Sequence, residues 1–322
     1  MAGGPSTPEL AAAVNAAGGF GYVAAGYLTA DALRGALDRT RELTSAPIGV
    51  NVFVPGRRDA DDDALGAYAR SLAAEAQRLG VAPGAPQWDD DGYPAKLDLL
   101  VSAGVHTVSF TFGCPDPAVV RRLQRAGIRA AVTVTSSDEA IAAAAVDADS
   151  LIVQGTEAGG HQGTFDGITP NRTPLLEALA AIHSAVDLPL VAAGAIMTAV
   201  DARAALDAGA VAVQVGTALL CAPEAGTSAT YRRALLDHRY PDTIVTRAFS
   251  GRWARGLANR FALDHIDAPA GYPQIHHLTR PLRAAATAAG DADIPNLWAG
   301  TGWGGVTTED AGTVVRRIAD RL

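Results

Sequence analysis

Short apolar segments alternate with amphipathic ones along the first two thirds of the chain. Seven apolar runs have a length that suits buried strands: 21–26, 47–54, 107–113, 129–135, 151–154, 189–196 and 210–219. The segments between them place apolar residues at helical spacing, and several end on an Ala-Gly pair, as at Ala103-Gly104 and Ala126-Gly127. Strands that are apolar on both faces and alternate with helices predict a parallel sheet covered by helices.

This regular alternation favours an α/β fold of the (β/α)₈ TIM-barrel type over an open doubly wound sheet. The first βα turn carries no G-x-G-x-x-G, so a dinucleotide-binding sheet is unsupported. A barrel closes with eight strands, whereas the chain shows seven. Met1 to Gly4 runs straight into a helix cap, so we expect the first strand to lie upstream of Met1.

Residues 221–298 break the alternation of strands and helices. They are rich in arginine, histidine and aromatic residues, such as Arg247, Trp253, His276 and His277. We therefore predict a barrel core at 1–220, a helical substrate cap at 221–298, and a C-terminal segment at 299–322 whose helix packs back on the barrel.

The stretch LIVQGTEAGGHQGTFDG, residues 151–167, carries the main candidate chemistry. A short apolar strand runs into a loop rich in glycine, a residue that permits positive φ and close approach to a ligand. His161 lies in this loop beside Gly159 and Gly160, and a histidine with a pKa of about 6.5 suits proton transfer. The alternative is a surface turn with an incidental histidine, because a glycine-rich loop is a weak signal.

Two further loops suit a phosphate. TIM barrels often hold phosphate in the loops after strands seven and eight. Counting the expected upstream strand, these loops are 193–195 and 214–217, and each joins a glycine at a strand end to a helix start. Main-chain N–H groups there can bind phosphate, although the glycines would also serve simple tight turns.

Two amides end otherwise apolar strands, Asn51 and Gln154. A buried amide needs hydrogen-bond partners, which either a ligand or a neighbouring loop would supply. Phe112, Trp253 and Trp298 are candidate walls of the pocket. Cys114 is interpreted as a small buried residue, because no basic partner is readable near it.

Composition excludes several classes of function. The net charge is −8 and basic residues form no cluster, which argues against nucleic acid and anionic membranes as partners. The two cysteines form neither a metal-binding spacing nor a disulfide framework, so no metal is expected and a cytoplasmic location fits best. No apolar run approaches the roughly 18 residues of a membrane span. The oligomeric state is not determined by these features.

Six segments, in this order, resemble the nitronate monooxygenases, formerly called 2-nitropropane dioxygenases: MAGGPSTPEL, GVNVF, SFTFGCP, VQGTEAGGHQGTF, PLVAAGAI and VQVGTALL. They are most similar to the class with the E-A-G-G-H-x-G-T-F loop. The resemblance spans nearly the whole chain. It implies an FMN-containing barrel that oxidises alkyl nitronates, notably propionate 3-nitronate, with O₂ to a carbonyl product plus nitrite or nitrate.

The resemblance also implies roles for individual residues. His161 matches the catalytic histidine of the family. The predicted cofactor-binding residues are Asn51, Gln154, Gly159, Gly160, Gly194, Gln214, Val215, Gly216 and Thr217.

The chain departs from the family pattern at three places. Gln162 stands where a basic residue often follows the histidine, and Thr133 where a lysine or glutamine often lies near the flavin. Met1 matches the methionine inside the motif A-P-M-A-G-G, of which only the tail is present.

Two other functions fit parts of this pattern. An FMN-dependent enoyl-acyl-carrier-protein reductase that uses NADH shares a similar E-A-G-G-H-x-G loop, although Thr164-Phe165 favours the monooxygenase. A non-catalytic flavin- or phosphate-binding barrel is the other alternative.

Overall fold

A computed structural model describes residues 1–56, 58 and 60–320, in which strands and helices alternate as the apolar pattern predicts. The strands are β1 (Tyr22–Ala24), β2 (Gly49–Phe53), β3 (Thr107–Thr111), β4 (Arg129–Val134), β5 (Ser150–Gln154), β6 (Gly160–His161), β7 (Leu190–Ala193), β8 (Ala212–Gln214), β9 (Thr243–Thr246) and β10 (Ala254–Leu257). The helices are α1 (Pro8–Ala16), α2 (Ala30–Leu43), α3 (Asp62–Ser71), α4 (Ala73–Leu79), α5 (Tyr93–Ser102), α6 (Pro117–Arg125), α7 (Ser137–Ala145), α8 (Leu175–Ala185), α9 (Ala199–Asp207), α10 (Ala229–Leu236), α11 (Arg260–Asp264), α12 (Gln274–Ala288) and α13 (Ala311–Ile318).

Seven of the strands form one parallel sheet in the order β1-β2-β3-β4-β5-β7-β8. Because consecutive strands are neighbours and helices connect them, the sheet curls into an incomplete TIM-like barrel, and the predicted fold class is confirmed. The outer strands are β1 and β8. Among the described strands, β1 pairs with β2 alone and β8 pairs with β7 alone. All seven carboxyl-terminal strand ends meet at one edge of the sheet, and we call the part of this edge around His161 the mouth.

The main core lies between the sheet and its helices. Val50, Val108, Phe110 and Val132 on the central strands are wholly buried, as expected for strands covered on both faces. One predicted helix differs: the pattern indicates a single helix from Asp61 to Leu79, whereas the structure breaks it at Leu72, whose side chain turns into a second core.

That second core joins α3 and α4 to α11 and α12. The segment 221–298 holds α10, α11 and α12, as a helical cap requires, but it also contributes β9 and β10 to a three-stranded antiparallel sheet with β6. Neither strand was expected. α13 packs against α1 and α9 on the barrel, and residues 321–322 of the C-terminal segment lie outside the described chain. The division into barrel, cap and C-terminal segment stays a prediction.

Among the helices described, none combines the length and the apolar character that crossing a bilayer requires.

Candidate functional site

The loop that carries His161 crosses the edge of the sheet and ends in a short antiparallel pairing. His161 lies opposite Ala254 and Gly160 lies opposite Arg255, which joins β6 to β10. Gly160 has φ +81°, and no atom lies within 4 Å of the position that a Cβ would take. Glycine at this position therefore permits the turn that brings His161 over the mouth.

Gln154, at the end of β5, holds this loop by both ends of its amide. Its Nε2 donates to the carbonyl oxygen of His161 at 3.0 Å, and its Oε1 accepts from the N–H of Gly163 at 2.7 Å. The side chain of Gln162 is buried and exchanges two hydrogen bonds of 2.8 Å with the backbone of Asn171. Both amides therefore fix the loop, and a contact of Gln154 with a cofactor stays a prediction.

Three aromatic rings surround the imidazole of His161, and we call them the aromatic cluster. The ring centroids of Phe112 and Tyr272 each lie 5.6 Å from that of His161, and that of Trp298 lies at 5.3 Å. Two of the three candidate pocket walls, Phe112 and Trp298, thus lie at the site. Trp253 does not touch the histidine ring; its Nε1 donates to the carbonyl oxygen of Ile168.

Ser250 fixes the orientation of the histidine ring. Nε2 of His161 lies 2.7 Å from Oγ of Ser250, and the same Oγ lies 3.3 Å from the carbonyl oxygen of Arg252. A hydroxyl has one hydrogen, so if it donates to that carbonyl it accepts from Nε2–H. We assign this tautomer from the hydrogen-bond network, and it leaves the lone pair of Nδ1 to act as an acceptor.

The surroundings keep this histidine neutral. Burial lowers the pKa of His161 from its ordinary value of 6.5 to about 3, and the positive charges of Arg252 and Arg283 act in the same direction. The imidazole is therefore unprotonated at physiological pH, as a proton acceptor must be.

Arg252 contacts the aromatic cluster at the ring of Phe112. Its guanidinium carbon is 4.2 Å from the ring centroid of Phe112, which is a cation–π contact. Its Nε donates to the carbonyl oxygen of Gln162 at 3.4 Å, and its Nη2 donates to that of Thr164. Burial lowers the pKa of Arg252 to about 10, so it stays charged.

Arg283, on α12, is linked to the aromatic cluster through His276 and Tyr27. Its Nη2 is 3.2 Å from Nδ1 of His276, whose ring stacks on that of Tyr27 with the centroids 4.3 Å apart. The hydroxyl of Tyr27 lies 3.4 Å from that of Tyr272, which links Arg283 to the aromatic cluster. Burial lowers the pKa of Arg283 to about 10 as well.

The two candidate phosphate loops begin side by side. β7 and β8 pair with Ala193 opposite Gln214, so Gly194 and Gly216 leave adjacent strand ends. The N–H groups of Gly194 and Gly216 donate to no described protein group. Gly194 has φ +133°, a conformation that L side chains rarely adopt. Main-chain donors without a described protein partner, at two neighbouring strand ends, suit a phosphate group.

A short segment, residues 298–301, joins the histidine loop to the second phosphate loop. The N–H of Gly300 donates to Oγ1 of Thr217 at 3.0 Å, and the N–H of Thr301 donates to the carbonyl oxygen of Glu157 at 3.0 Å. A Cβ on Gly159 would lie 2.5 Å from the nitrogen of Gly300. Glycine at 159 is therefore needed for this packing, and a contact with FMN stays a prediction.

The remaining predicted positions also lie at the edge of the sheet. Nδ2 of Asn51 donates to Oγ of Ser109 at 3.0 Å and to Oγ1 of Thr111 at 2.9 Å, and its side-chain Oδ1 accepts from no described residue. Oγ1 of Thr111 lies 3.3 Å from Oγ1 of Thr133, which is buried below the histidine loop. Asn51 thus keeps an acceptor for a ligand donor, whereas Thr133 supplies only a hydroxyl. Gln214 and Val215 lie at the end of β8 and are exposed and half-buried, respectively.

Sequence reasoning missed four residues at the site: Ser250, Arg252, Tyr272 and Arg283. Each lies about 90 positions or more from His161 in the chain, and contacts at such separation leave no local pattern. The available signal was the excess of arginine and aromatic residues in 221–298.

The fold and these contacts define an α/β barrel whose sheet edge carries a neutral histidine beside two glycine loops with N–H groups that donate to no described protein group. The family model described as nitronate monooxygenase matches residues 1–317, so the chain belongs to that family and is a flavin-dependent oxidoreductase.

Curated and solved proteins agree with this assignment. A probable nitronate monooxygenase of Staphylococcus aureus strain MSSA476 is 34% identical over 334 residues, which cover 99% of this chain and 92% of the relative. The solved nitroalkane oxidase from Streptomyces ansochromogenes is 48% identical with a TM-score of 0.96, covering 100% of this chain and 93% of that chain. FabK from Thermotoga maritima is 25% identical with a TM-score of 0.77, covering 99% and 89%.

Proposed function

We propose that this protein uses FMN to oxidise alkyl nitronates, propionate 3-nitronate among them, with O₂ to a carbonyl product plus nitrite or nitrate. The observation that carries the proposal is a neutral histidine, oriented by Ser250 and walled by aromatic rings, at the same sheet edge as two loops with free N–H groups. The general reaction agrees with the family and with the solved nitroalkane oxidase.

The donors present fit FMN. The N–H groups of Gly194 and Gly216 would hold its phosphate, and the side-chain Oδ1 of Asn51 would accept from a ring N–H. When bound, FMN supplies the electron-transfer and O₂ chemistry. A phosphate cradle without a dinucleotide fingerprint favours FMN over FAD.

The protein residues orient the substrate and move one proton. For a neutral nitroalkane, Nδ1 of His161 would accept the α-proton while Ser250 holds Nε2–H. A nitronate has already lost that proton, so His161 would only position it. The aromatic cluster excludes water from the reacting atoms.

Two measurements on the purified protein test this function. Denaturation should release FMN, and anaerobic mixing with propionate 3-nitronate should bleach the flavin absorbance, whereas NADH should leave it unchanged. Release of FAD, or of no flavin, would overturn the cofactor assignment. Bleaching by NADH and not by the nitronate would favour the reductase alternative.

A further inference from the structure

We propose that Arg252 and Arg283 determine specificity by supplying buried positive charge around His161, so that the mouth selects anionic nitronates over neutral nitroalkanes. The inference deepens the proposed function and rests on it. The two guanidiniums come from different elements, the segment before β10 and helix α12. Arg252 contacts the ring of Phe112, and Arg283 contacts His276.

The position of each guanidinium follows from direct contacts. That of Arg252 lies 4.2 Å from the ring centroid of Phe112, whose ring neighbours that of His161. That of Arg283 lies 3.2 Å from the ring of His276, which reaches His161 through Tyr27 and Tyr272. The pKa of His161 is lowered by both charges, so their field extends to the place where substrate would bind.

Neutral groups hold both arginines. Arg252 donates to main-chain carbonyl oxygens, and Arg283 donates to Oγ1 of Thr279 at 3.0 Å and to Oδ1 of Asn296 at 2.6 Å. No carboxylate of the described chain forms an ion pair with either of them. Arginines elsewhere, such as Arg260 with Glu75, are paired.

The charges of Asp166 and Glu139 reach Arg252 without a direct ion pair, and they offset only part of its burial, which still lowers its pKa. A buried cation without a direct ion-pair partner is unfavourable, and an arriving anion relieves that cost. A nitronate carries one negative charge, shared mainly by the two oxygens of its planar nitronate group, whereas a nitroalkane is neutral. The two guanidiniums lie in a low-dielectric site and therefore favour binding of the nitronate over the nitroalkane. This preference should weaken when either guanidinium loses its charge.

The test measures binding without turnover. Nitrate is a planar anion with the same oxygens as the nitronate head group, and nitroethane is the neutral counterpart. Calorimetric titration of each ligand into the flavin-loaded protein gives the two dissociation constants. We expect Arg283→Gln and Arg252→Gln each to weaken nitrate binding by about tenfold, with nitroethane unchanged.

One lysine variant and one control arginine separate the effect of the charge on nitrate binding from a structural effect of the substitution. Arg283→Lys should keep most of the nitrate affinity, because it keeps the charge and loses the planar hydrogen bonds. Arg232→Gln is the matched control: Arg232 also donates to main-chain carbonyl oxygens, those of Cys221, Ala222 and Ala225, but lies outside the mouth. It should leave both ligands unaffected.

Three results would overturn the inference: unchanged nitrate affinity in both glutamine variants, equal weakening of nitrate and nitroethane, or a lysine variant as weak as the glutamine one. If Arg252→Gln fails to fold, the comparison of Arg283→Gln with Arg283→Lys still tests the inference. A wild-type protein that binds nitrate in this charge-dependent way but does not oxidise nitronates would contradict the proposed function and leave the charge selection standing.

Discussion

At the scale of single residues, His161 shows how one environment can separate two chemical roles. Burial and two arginine charges lower its pKa to about 3, so it is always unprotonated but is a weak base. In the proposed reaction, the same positive charges would stabilise the anion formed from a nitroalkane, which would lower the cost of removing its α-proton. The histidine thus matters most for substrates that still carry that proton.

His161→Ala should affect two substrates unequally. Removal of a positioned base typically costs about 10²–10⁴-fold, so nitroalkane oxidation should fall by that factor while nitronate keeps a larger share of kcat, with a raised KM. Steady-state kinetics with both substrates checks this. The exposed His183 on α8 gives the control His183→Ala, which should match the wild type. Equal proportional losses at full FMN occupancy would rule out the base assignment.

The pH profile gives a second test at the same residue. The pKa of His161 lies near 3, so this histidine should not titrate near pH 6.5. The pH profile of kcat/KM for a nitroalkane should therefore contain no inflection near pH 6.5 that depends on His161 and is lost in His161→Ala. Rates measured between about pH 5 and 8 decide it. An inflection close to 6.5 that disappears in the variant would mean that the ring is not desolvated in the working enzyme.

At the scale of elements, the histidine loop depends on β5 through a single side chain. Gln154→Leu has similar volume but leaves the carbonyl of His161 and the N–H of Gly163 without these partners. We expect a loss of roughly 1–3 kcal/mol in unfolding free energy for the unsatisfied groups, together with faster loss of flavin. Urea unfolding and flavin release measure the two effects. Gln77→Leu, at an exposed glutamine on α4, should change neither.

The elements also show what a sequence can predict. The seven parallel strands were predictable because both of their faces are buried, which imposes a continuous apolar run. β6, with only Gly160 and His161, carries no strand signal, and β9 and β10 are four residues each. The break at Leu72 was hidden because apolar spacing continues through it. His161 and the glycine loops were readable locally, whereas Ser250 and Arg283 reach the site only through tertiary packing.

At the scale of the whole molecule, buried histidines make stability depend on pH. Burial, followed by the charge of Arg283, lowers the pKa of His276 to about 2, against about 6.5 in an unfolded chain. The folded state disfavours the protonated ring, so the full stability is present above pH 6.5 and decreases as the pH falls toward 2. By pH 5 this one group accounts for about 2 kcal/mol, and His161 acts in the same direction.

His276→Phe should therefore reduce the loss of unfolding free energy that occurs as the pH falls. The variant keeps a ring to stack on Tyr27 but has no proton to gain. The difference in unfolding free energy between pH 7.5 and pH 5 should shrink by about 2 kcal/mol, as measured by urea unfolding. His183→Phe, at an exposed ring, is the control. An unchanged difference in the His276 variant would show that this ring is solvated in the native state.

The segment 298–301 touches both the histidine loop and the second phosphate loop, and it follows all ten described strands in the chain. During synthesis on the ribosome, the parallel sheet can therefore form well before the site is complete. A nascent chain halted before Trp298 would lack the segment that connects the histidine loop to the second candidate phosphate loop. We therefore expect the proposed cofactor site to be completed among the last events in biogenesis, in chains that have been translated nearly to their end.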